Sequence, residues 1–148
     1  MTLEERIIRM LAEKGIDYEL AEHEPVYTNP AMAGALGVTE DKTVKSLVLV
    51  TKEGEMIVLV LPGDSKADWK KTAAAAGTKK VSFARPEAVL ETVGCEVGCV
   101  PPFGHGLRVY MDGGLAEKDR VFFNPGVHHK SFKIRGRDLK TLCSPGFV

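Results

Sequence analysis

The sequence has no long hydrophobic run, and this absence excludes a membrane-spanning helix. Its longest apolar runs, over residues 47–50 and 56–61, have the length of strands, whereas a spanning helix needs about 18 apolar residues. The N-terminal segment carries Glu4, Glu5 and Arg6 and lacks the apolar stretch of a secretory signal. We therefore expect a protein without a signal peptide and without a membrane partner.

Cysteine is scarce, and neither sign of charge is in excess. The 148 residues include only 3 cysteines, an odd number that favours reduced thiols and a cytoplasmic location. The 20 basic residues are balanced by 20 acidic ones, which excludes a protein that coats nucleic acid with its whole surface. A local basic patch stays possible. The hydrophobic share of 44% is enough for one core, and we predict one domain over residues 1–148.

The common catalytic motifs are also missing. The sequence contains no P-loop, no G-x-G-x-x-G and no G-x-S-x-G. Cys95 and Cys99, together with His105, His128 and His129, are one candidate zinc set, but their spacing is not that of a C-x-x-C site. A Cys99 nucleophile with a histidine base is a second alternative. Our prediction contains no metal and no cofactor.

The sequence does contain a regular alternation of helix-capping residues, apolar runs, and glycine or proline residues that end helices and strands. Caps and glycine stops predict helices over residues 3–14, 30–36, 69–76, 87–93 and 137–142, with Ser65 to Asp68 as the capping box of the third. Runs rich in Val, Ile, Leu and Phe predict strands over residues 17–22, 43–51, 55–61, 81–83, 107–111, 120–123 and 131–134. Turns are predicted at 52–54, 112–114 and 124–126. This order predicts an α+β fold with a mixed, mainly antiparallel sheet.

One stretch, residues 98–106, is too rich in glycine and proline for a helix or a central strand. Two adjacent prolines, Pro101 and Pro102, fix φ and remove two N–H donors, while Gly98 and Gly104 allow a positive φ or a close approach. A stiff loop with its remaining N–H groups free can bind an oxyanion, a carboxylate or a water molecule. From the residues alone, a purely structural turn is the alternative.

Two features of the lysines are noteworthy. Lys45 begins a strand whose neighbouring residues are apolar, so its ammonium either extends to solvent or meets an anion in a pocket. Five lysines, at positions 66, 70, 71, 79 and 80, cluster around the third helix. They form either a solvated face or a patch that contacts phosphates.

Taken together, these segments resemble the YbaK/prolyl-tRNA synthetase editing-domain family, over nearly the whole chain. Four matches occur in order. The first is Ala-Leu-Gly-Val at 35–38 followed by the lysine-bearing strand at 44–50, and the second is the glycine–proline loop at 98–104. The third is Val-Tyr-Met-Asp at 109–112, and the fourth is Phe-Phe-Asn-Pro-Gly-Val-His at 122–128. The match implies a barrel-like sheet surrounded by helices.

The resemblance also implies an activity, namely hydrolysis of the ester that joins a wrong amino acid to the 3′ end of a tRNA. Lys45 matches the family lysine that holds the terminal adenosine and its phosphate. The loop over residues 98–102 matches the one that receives the ester and positions the attacking water. Neither a metal nor a covalent nucleophile is implied, and the substrate's own 2′-hydroxyl assists. Backbone donors of this kind contribute about 3–4 kcal/mol each in catalysis.

The expected site has a catalytic and a binding part. The catalytic residues are Lys45, Gly98, Cys99, Val100, Pro101 and Pro102. The substrate-binding residues are Tyr27, Phe103, Gly104, His105, Asn124, Gly126 and His128, of which Phe103 or Tyr27 is expected to stack on the adenosine. The expected substrate carries a small amino acid such as Ala, Cys or Ser, for example on tRNA-Pro.

Two departures from the family pattern bear on specificity. Ser46 stands where many members carry threonine, and Cys99-Val100 stands where relatives place other small residues. The expected partners are the tRNA 3′ end and, in addition, an aminoacyl-tRNA synthetase. A non-catalytic module on the same fold, which binds aminoacyl-tRNA or a synthetase without turnover, is the alternative function.

Overall fold

The computed structural model describes residues 1–148, which form five α-helices and eight β-strands. The helices are α1 (Leu3–Glu13), α2 (Asn29–Leu36), α3 (Trp69–Ala76), α4 (Pro86–Val93) and α5 (Gly136–Cys143). The strands are β1 (Glu19–Glu22), β2 (Val44–Thr51), β3 (Met56–Pro62), β4 (Val81–Phe83), β5 (Arg108–Met111), β6 (Val121–Phe123), β7 (Lys130–Ile134) and β8 (Gly146–Phe147). Short 3₁₀ helices lie at Glu40–Lys42 and Gly113–Glu117. No helix has both the length and the apolar character needed to cross a membrane.

The strands form two open sheets. One sheet has the order β1-β7-β6, and the other has the order β4-β2-β3-β5-β8, with β3–β5 and β5–β8 parallel and the remaining pairs antiparallel. The α+β prediction with a mixed sheet is confirmed. The barrel-like closure is not, because the two sheets are joined only by an isolated bridge between Thr43 and Phe122. The larger sheet ends at β4 and β8, which are too short to continue around a barrel.

The β2–β3 hairpin separates two hydrophobic clusters, because successive side chains of a strand point to opposite faces. Val44 and Val48 of β2 pack in the larger cluster, which also contains residues of α1, α4 and α5. Leu49 packs in the smaller cluster, together with Ala73 of α3. These two strands are therefore apolar on both faces, as the sequence predicts for central strands.

Most predicted helix boundaries are confirmed, but one predicted cap and one predicted turn are wrong. Thr2 and Glu5 form the predicted capping box of α1. The N-cap of α3 is Asp68, whose Oδ1 accepts a hydrogen bond from the Lys71 N–H at 3.0 Å, so the predicted capping box beginning at Ser65 does not form. Asp and Ser are about equally favourable as N-caps, and Asp68 is the one that directly precedes the first residue of α3. Asp112 likewise caps a 3₁₀ helix in place of the predicted simple turn.

The first half of β2 has a free edge, which positions the site described below. β4 pairs only with Leu49 to Thr51. Odd-numbered residues of β2 hydrogen-bond toward β3, as shown by the N–H of Thr51, which donates to the Glu55 carbonyl at 2.9 Å. In an antiparallel pair, the even-numbered residues then direct their backbone groups to the other edge. The N–H and C=O of Ser46 therefore point to the open edge.

Candidate functional site

A cavity of about 150 Å³ lies across this free edge of β2. Residues from β2, the start of α2, the β4–α4 connection, the glycine–proline loop and the turn after β6 contribute to its wall. They are Thr28, Asn29, Met32, Val44, Lys45, Ser46, Leu47, Val48, Phe83, Ala84, Val89, Val97, Gly98, Val100 and Asn124. Lys45 is the only charged residue among them, and its ammonium has no ion-pair or hydrogen-bond partner in the chain.

Strand alternation gives the cavity two sides. Ser46 lies between Val44 and Val48 on the face of the larger cluster, and we call this the inner side. Lys45 lies on the opposite face, the one covered by α3, and we call this the outer side. Phe83 also belongs to the outer side, because it pairs with Leu49 in register and Leu49 belongs to the cluster under α3.

Asn29 fixes the start of α2 against the start of β2. Its Nδ2 donates to the Thr43 Oγ1 at 3.0 Å and to the Val44 carbonyl at 3.2 Å. Thr43 Oγ1 in turn donates to the Glu40 carbonyl at 2.7 Å. The predicted cap at Thr28 is confirmed, since its side chain accepts from the Ala31 N–H. This network places both Thr28 and Asn29 at the cavity wall.

The glycine–proline loop contributes Gly98 and Val100 to the inner side. Gly98 has a φ of +97°, and a Cβ there would lie 3.2 Å from the Tyr27 carbonyl oxygen, so any other residue would be strained and crowded. The Gly98 carbonyl accepts a hydrogen bond from Asn124 Nδ2 at 3.1 Å. The N–H of Cys99 is used within the loop, where it donates to the Glu96 carbonyl at 3.2 Å. The N–H groups of Gly98 and Val100 have no acceptor in the chain.

Two side-chain oxygens of the cavity are buried without a hydrogen-bond partner. They are Ser46 Oγ and Asn124 Oδ1. A buried polar atom left unpaired costs about 1–3 kcal/mol, and native structures contain few of them. Two such atoms in the wall of one cavity can be paired by water or by the polar groups of a ligand.

Cys99 lies on the other side of the loop, in a groove next to the cavity. Its Sγ lies 3.2 Å from the Glu96 carbonyl oxygen and 3.5 Å from the Gly126 carbonyl oxygen, and the single S–H is shared between them, which ties the loop to the turn after β6. A hydrogen bond from the Cys95 thiol, together with the field of His128, lowers the pKa of Cys99 to about 7. The same interaction raises the pKa of Cys95.

Tyr27 and His128 form the wall of this groove together with Gly126. Their rings lie 4.4 Å apart between centroids, with 39° between the planes. His128 Nδ1 donates to the Val26 carbonyl at 3.0 Å, and its buried Nε2 has no hydrogen-bond partner and lies 3.7 Å from a Glu96 carboxylate oxygen. The structure therefore places these predicted binding residues beside the cavity and not in its wall.

Five further residues of the expected site belong to the second part of the glycine–proline loop and lie outside the cavity wall: Pro101, Pro102, Phe103, Gly104 and His105. Phe103 is only 2% exposed and packs at 5.2 Å against Phe123 in the core, so it has no surface to offer an adenine ring. His105 is buried, its Nδ1 accepts from the Leu107 N–H at 3.0 Å, and burial lowers its pKa. Gly104 faces α1, where its carbonyl accepts from Arg6 at 2.8 Å.

The sequence interpretation misses Phe83 and underrates Ser46. Phe83 belongs to a strand of three residues, which is too short to show which side chains face a cavity. Ser46 stands out in the sequence only as a conservative replacement of threonine, although a hydroxyl within an apolar strand is itself a signal. No group of three or more His, Cys, Asp or Glu side chains is arranged to hold a metal ion.

Comparisons with known proteins identify the family of the chain. The family model for the aminoacyl-tRNA editing domain matches residues 23–142. The chain is 29% identical over 150 residues to the multifunctional Ser/Thr-tRNA deacylase ProXp-y of Escherichia coli K12, covering 97% of this chain and 90% of that protein. It is also 29% identical over 149 residues to the prolyl-tRNA editing protein ProX of Acetoanaerobium sticklandii, covering 96% and 91%.

Solved structures show the same architecture. A crystal structure described as a candidate trans-editing enzyme for prolyl tRNA synthetase superposes with a TM-score of 0.86 at 26% identity, covering 100% of this chain and 96% of that one. The family model spans four of the five helices together with all strands except β1 and β8, and it contains every residue of the cavity wall. The chain therefore belongs to the aminoacyl-tRNA editing domain family.

Proposed function

We propose that this chain hydrolyses the ester that links a small, wrongly attached amino acid to the 3′ end of a tRNA. The observation that carries the proposal is the cavity at the free edge of β2, with an unpaired lysine on its outer side and unpaired polar groups on its inner side. The names of the relatives, a Ser/Thr-tRNA deacylase and a prolyl-tRNA editing protein, support this activity. Residues 1–148 act as one editing domain, since Ile7 and Leu11 of α1 pack in the same core.

The outer side suits the terminal adenosine. Lys45 supplies a positive charge for a phosphate, and no acidic side chain of the cavity competes for it. The part of Phe83 that is open to solvent offers a ring face for a base. The adenosine therefore lies across the outer side, with its 3′ oxygen directed over the edge of β2.

The inner side suits the aminoacyl group. The free N–H groups of Gly98 and Val100 are donors for a carbonyl oxygen that gains negative charge. Ser46 Oγ and Asn124 Oδ1 can bind the α-ammonium group or a polar side chain. The cavity of about 150 Å³ is enclosed mostly by apolar side chains, which suits a small residue such as Ala, Cys or Ser.

The chemistry follows from this placement. The oxygen of a bound water attacks the ester carbonyl carbon, the bond from that carbon to the 3′ oxygen breaks, and the departing oxygen takes a proton. No carboxylate or histidine lines the cavity, so the base is neither a carboxylate nor an imidazole of the cavity wall. The 2′-hydroxyl of the substrate is the group adjacent to the reacting ester and assists the transfer. An ester is reactive enough for positioning and oxyanion stabilisation to accelerate its hydrolysis.

A panel of mischarged tRNAs tests the proposal. The wild-type protein should clear at least one ester, such as Ala, Cys or Ser on tRNA-Pro, well above its spontaneous decay. Lys45→Ala should lose this activity at tRNA concentrations below the wild-type KM, while its free energy of unfolding stays within about 1 kcal/mol of wild type, as is usual for a surface substitution. Lys42→Ala is the matched control, because Lys42 is an exposed lysine three residues away and outside the cavity.

Two outcomes would contradict the proposal. If Lys45→Ala unfolds readily but retains activity, Lys45 is a structural residue and does not belong to the site. If the wild-type protein clears no ester, yet binds a non-hydrolysable aminoacyl-adenosine tightly, the chain is a binding module on the editing-domain fold.

A further inference from the structure

The outer side of the cavity continues into an exposed pair of aromatic rings. Phe83 is 61% exposed and Trp69, the first residue of α3, is 39% exposed. Their rings meet edge to face, with centroids 5.0 Å apart and planes at 84°. Phe83 also lines the cavity, so the pair begins at the mouth of the proposed active site and leads away from it.

Beyond Trp69 the surface is strongly basic. A groove next to α3 is lined by Trp69, Lys70, Lys79 and Lys80. All five lysines between positions 66 and 80 are exposed, and none of them forms an ion pair.

Acidic groups near this groove are few and engaged. Asp68 is the only acidic residue in the segment from 66 to 80, and its carboxylate is bound to the Lys71 N–H as the helix cap. Glu53, beside the groove, accepts from the Thr78 hydroxyl at 2.7 Å. In a chain with zero net charge, this concentration of positive charge is local and has no internal partner.

The basic groove and the cavity lie on the same face of the larger sheet. Lys45 and Phe83 are on the outer side by strand alternation, and α3 packs on that face through Ala73. The surface is therefore continuous from Lys45 over Phe83 and Trp69 to the lysines of α3 and the α3–β4 connection. We call the part beyond the cavity, made of Trp69, Lys70, Lys71, Lys79 and Lys80, the RNA track.

We propose that the RNA track binds the single-stranded 3′ end and the adjoining stem backbone of the tRNA whose terminal ester enters the cavity. This proposal rests on the proposed function for the identity of the RNA. Trp69 stacks on a base that precedes the terminal adenosine, next to the adenosine on Phe83, because every base has a face for stacking and no sequence is required. The lysines neutralise the phosphates that follow along the strand.

The test compares two esters that differ only in the RNA beyond the adenosine. One is a mischarged tRNA, and the other is the same amino acid esterified to adenosine alone. Lys70→Glu/Lys79→Glu and Trp69→Ala should lower kcat/KM for the tRNA ester by about tenfold or more. Both variants should hydrolyse the short ester at the wild-type rate, because that substrate does not reach the track.

A charge-matched control distinguishes the track from general electrostatics. Lys14→Glu/Arg137→Glu reverses two exposed positive charges that form no ion pair, one just after α1 and one on α5. Both helices pack on the face of the larger sheet opposite to α3. This control should keep the wild-type kcat/KM for both esters. The salt dependence of tRNA binding should also fall in Lys70→Glu/Lys79→Glu, by about 0.7 in the log–log slope for each phosphate that the variant no longer neutralises.

A binding measurement keeps this inference separable from the proposed function. Fluorescence anisotropy with an uncharged acceptor-stem hairpin needs no turnover, and its affinity should fall in the track variants and not in the control. Equal loss in the control, unchanged hairpin affinity in the track variants, or equal loss on both esters would overturn the proposal. If the hairpin binds equally well but an acidic protein partner no longer binds, the basic groove serves a protein and not RNA. If the wild type hydrolyses no ester but its hairpin affinity falls in the track variants, the proposed deacylase function is wrong and the RNA-binding role of the track is supported.

Discussion

The two sides of the β2 edge differ in burial, although Lys45 and Ser46 are adjacent in the chain. On the inner side, Ser46 Oγ and Asn124 Oδ1 are shielded from water and lack partners. On the outer side, Lys45 and the ring of Phe83 remain accessible to solvent. The difference shows how one extended strand at a free edge presents two environments to a ligand that lies across it.

This difference in burial predicts a difference in kinetics. Interactions in the shielded inner side are strong and sensitive to geometry, so changes there should lower kcat. Interactions on the outer side are screened by water and salt, so changes there should raise KM and alter the salt dependence. The following predictions test this division, from the largest expected effect to the smallest.

Gly98→Ala should have the largest effect, since a Cβ at a φ of +97° is strained and lies 3.2 Å from the Tyr27 carbonyl. The loop must shift, and kcat should fall about 100-fold or more, as for loss of an oxyanion donor. Steady-state deacylation measures this effect. Gly106→Ala is the control, because Gly106 has a φ of +79° and open space around its Cβ, and lies outside the cavity. If kcat falls by a comparable factor in both variants, backbone strain in general, and not the position of Gly98 in the cavity, causes the loss.

Asn124→Ala should have an intermediate effect. It removes the donor to the Gly98 carbonyl and the unpaired Oδ1, and we expect kcat to fall about tenfold with KM within a factor of three. The free energy of unfolding should fall by about 1 kcal/mol, the usual value of one hydrogen bond. Chemical denaturation checks the stability. A rise in KM with unchanged kcat would contradict this prediction, because it would show that Asn124 contributes to binding and not to the reaction on the inner side.

Cys99→Ser should have the smallest effect, because the serine hydroxyl can donate its one hydrogen to the same carbonyl oxygens, those of Glu96 and Gly126, that the thiol contacts. We expect kcat within about threefold of wild type. The pH profile sharpens the test, because the Cys99 pKa is about 7 and a catalytic thiolate would make the rate rise between pH 6 and 8. Disappearance of such a rise in Cys99→Ser, with loss of activity, would make Cys99 the nucleophile.

Local signals in the sequence predict most of the elements. The capping box at Thr2 and Glu5, the cap at Thr28 and the glycine after each of α2, α3 and α4 specify the helix ends, because these residues satisfy or terminate backbone hydrogen bonds locally. The two open sheets are not predictable in this way. Whether β4 and β8 extend far enough to close a barrel depends on long-range pairing.

The site is predictable only in part, for a related reason. Lys45, Gly98, Val100 and Asn124 are expected at the site from the sequence and do line one cavity, while Tyr27, Cys99 and His128 line the neighbouring groove. Phe103 shows the limit of motif reasoning, because an aromatic ring next to glycine can equally well enter the core. Phe83 gives no signal in the sequence, because β4 has only three residues and shows no alternating pattern. The position of its ring also depends on the contact with Trp69, which is 14 residues away in the chain.

The most direct test of the two-sided site is the structure of the complex with an aminoacyl-adenosine in which an amide replaces the ester. The account predicts the adenosine against Lys45 and Phe83, and the aminoacyl carbonyl within hydrogen-bond distance of the Gly98 or Val100 N–H. An analogue bound in the groove between Tyr27 and His128, or bound in the cavity with its two ends exchanged, would contradict it.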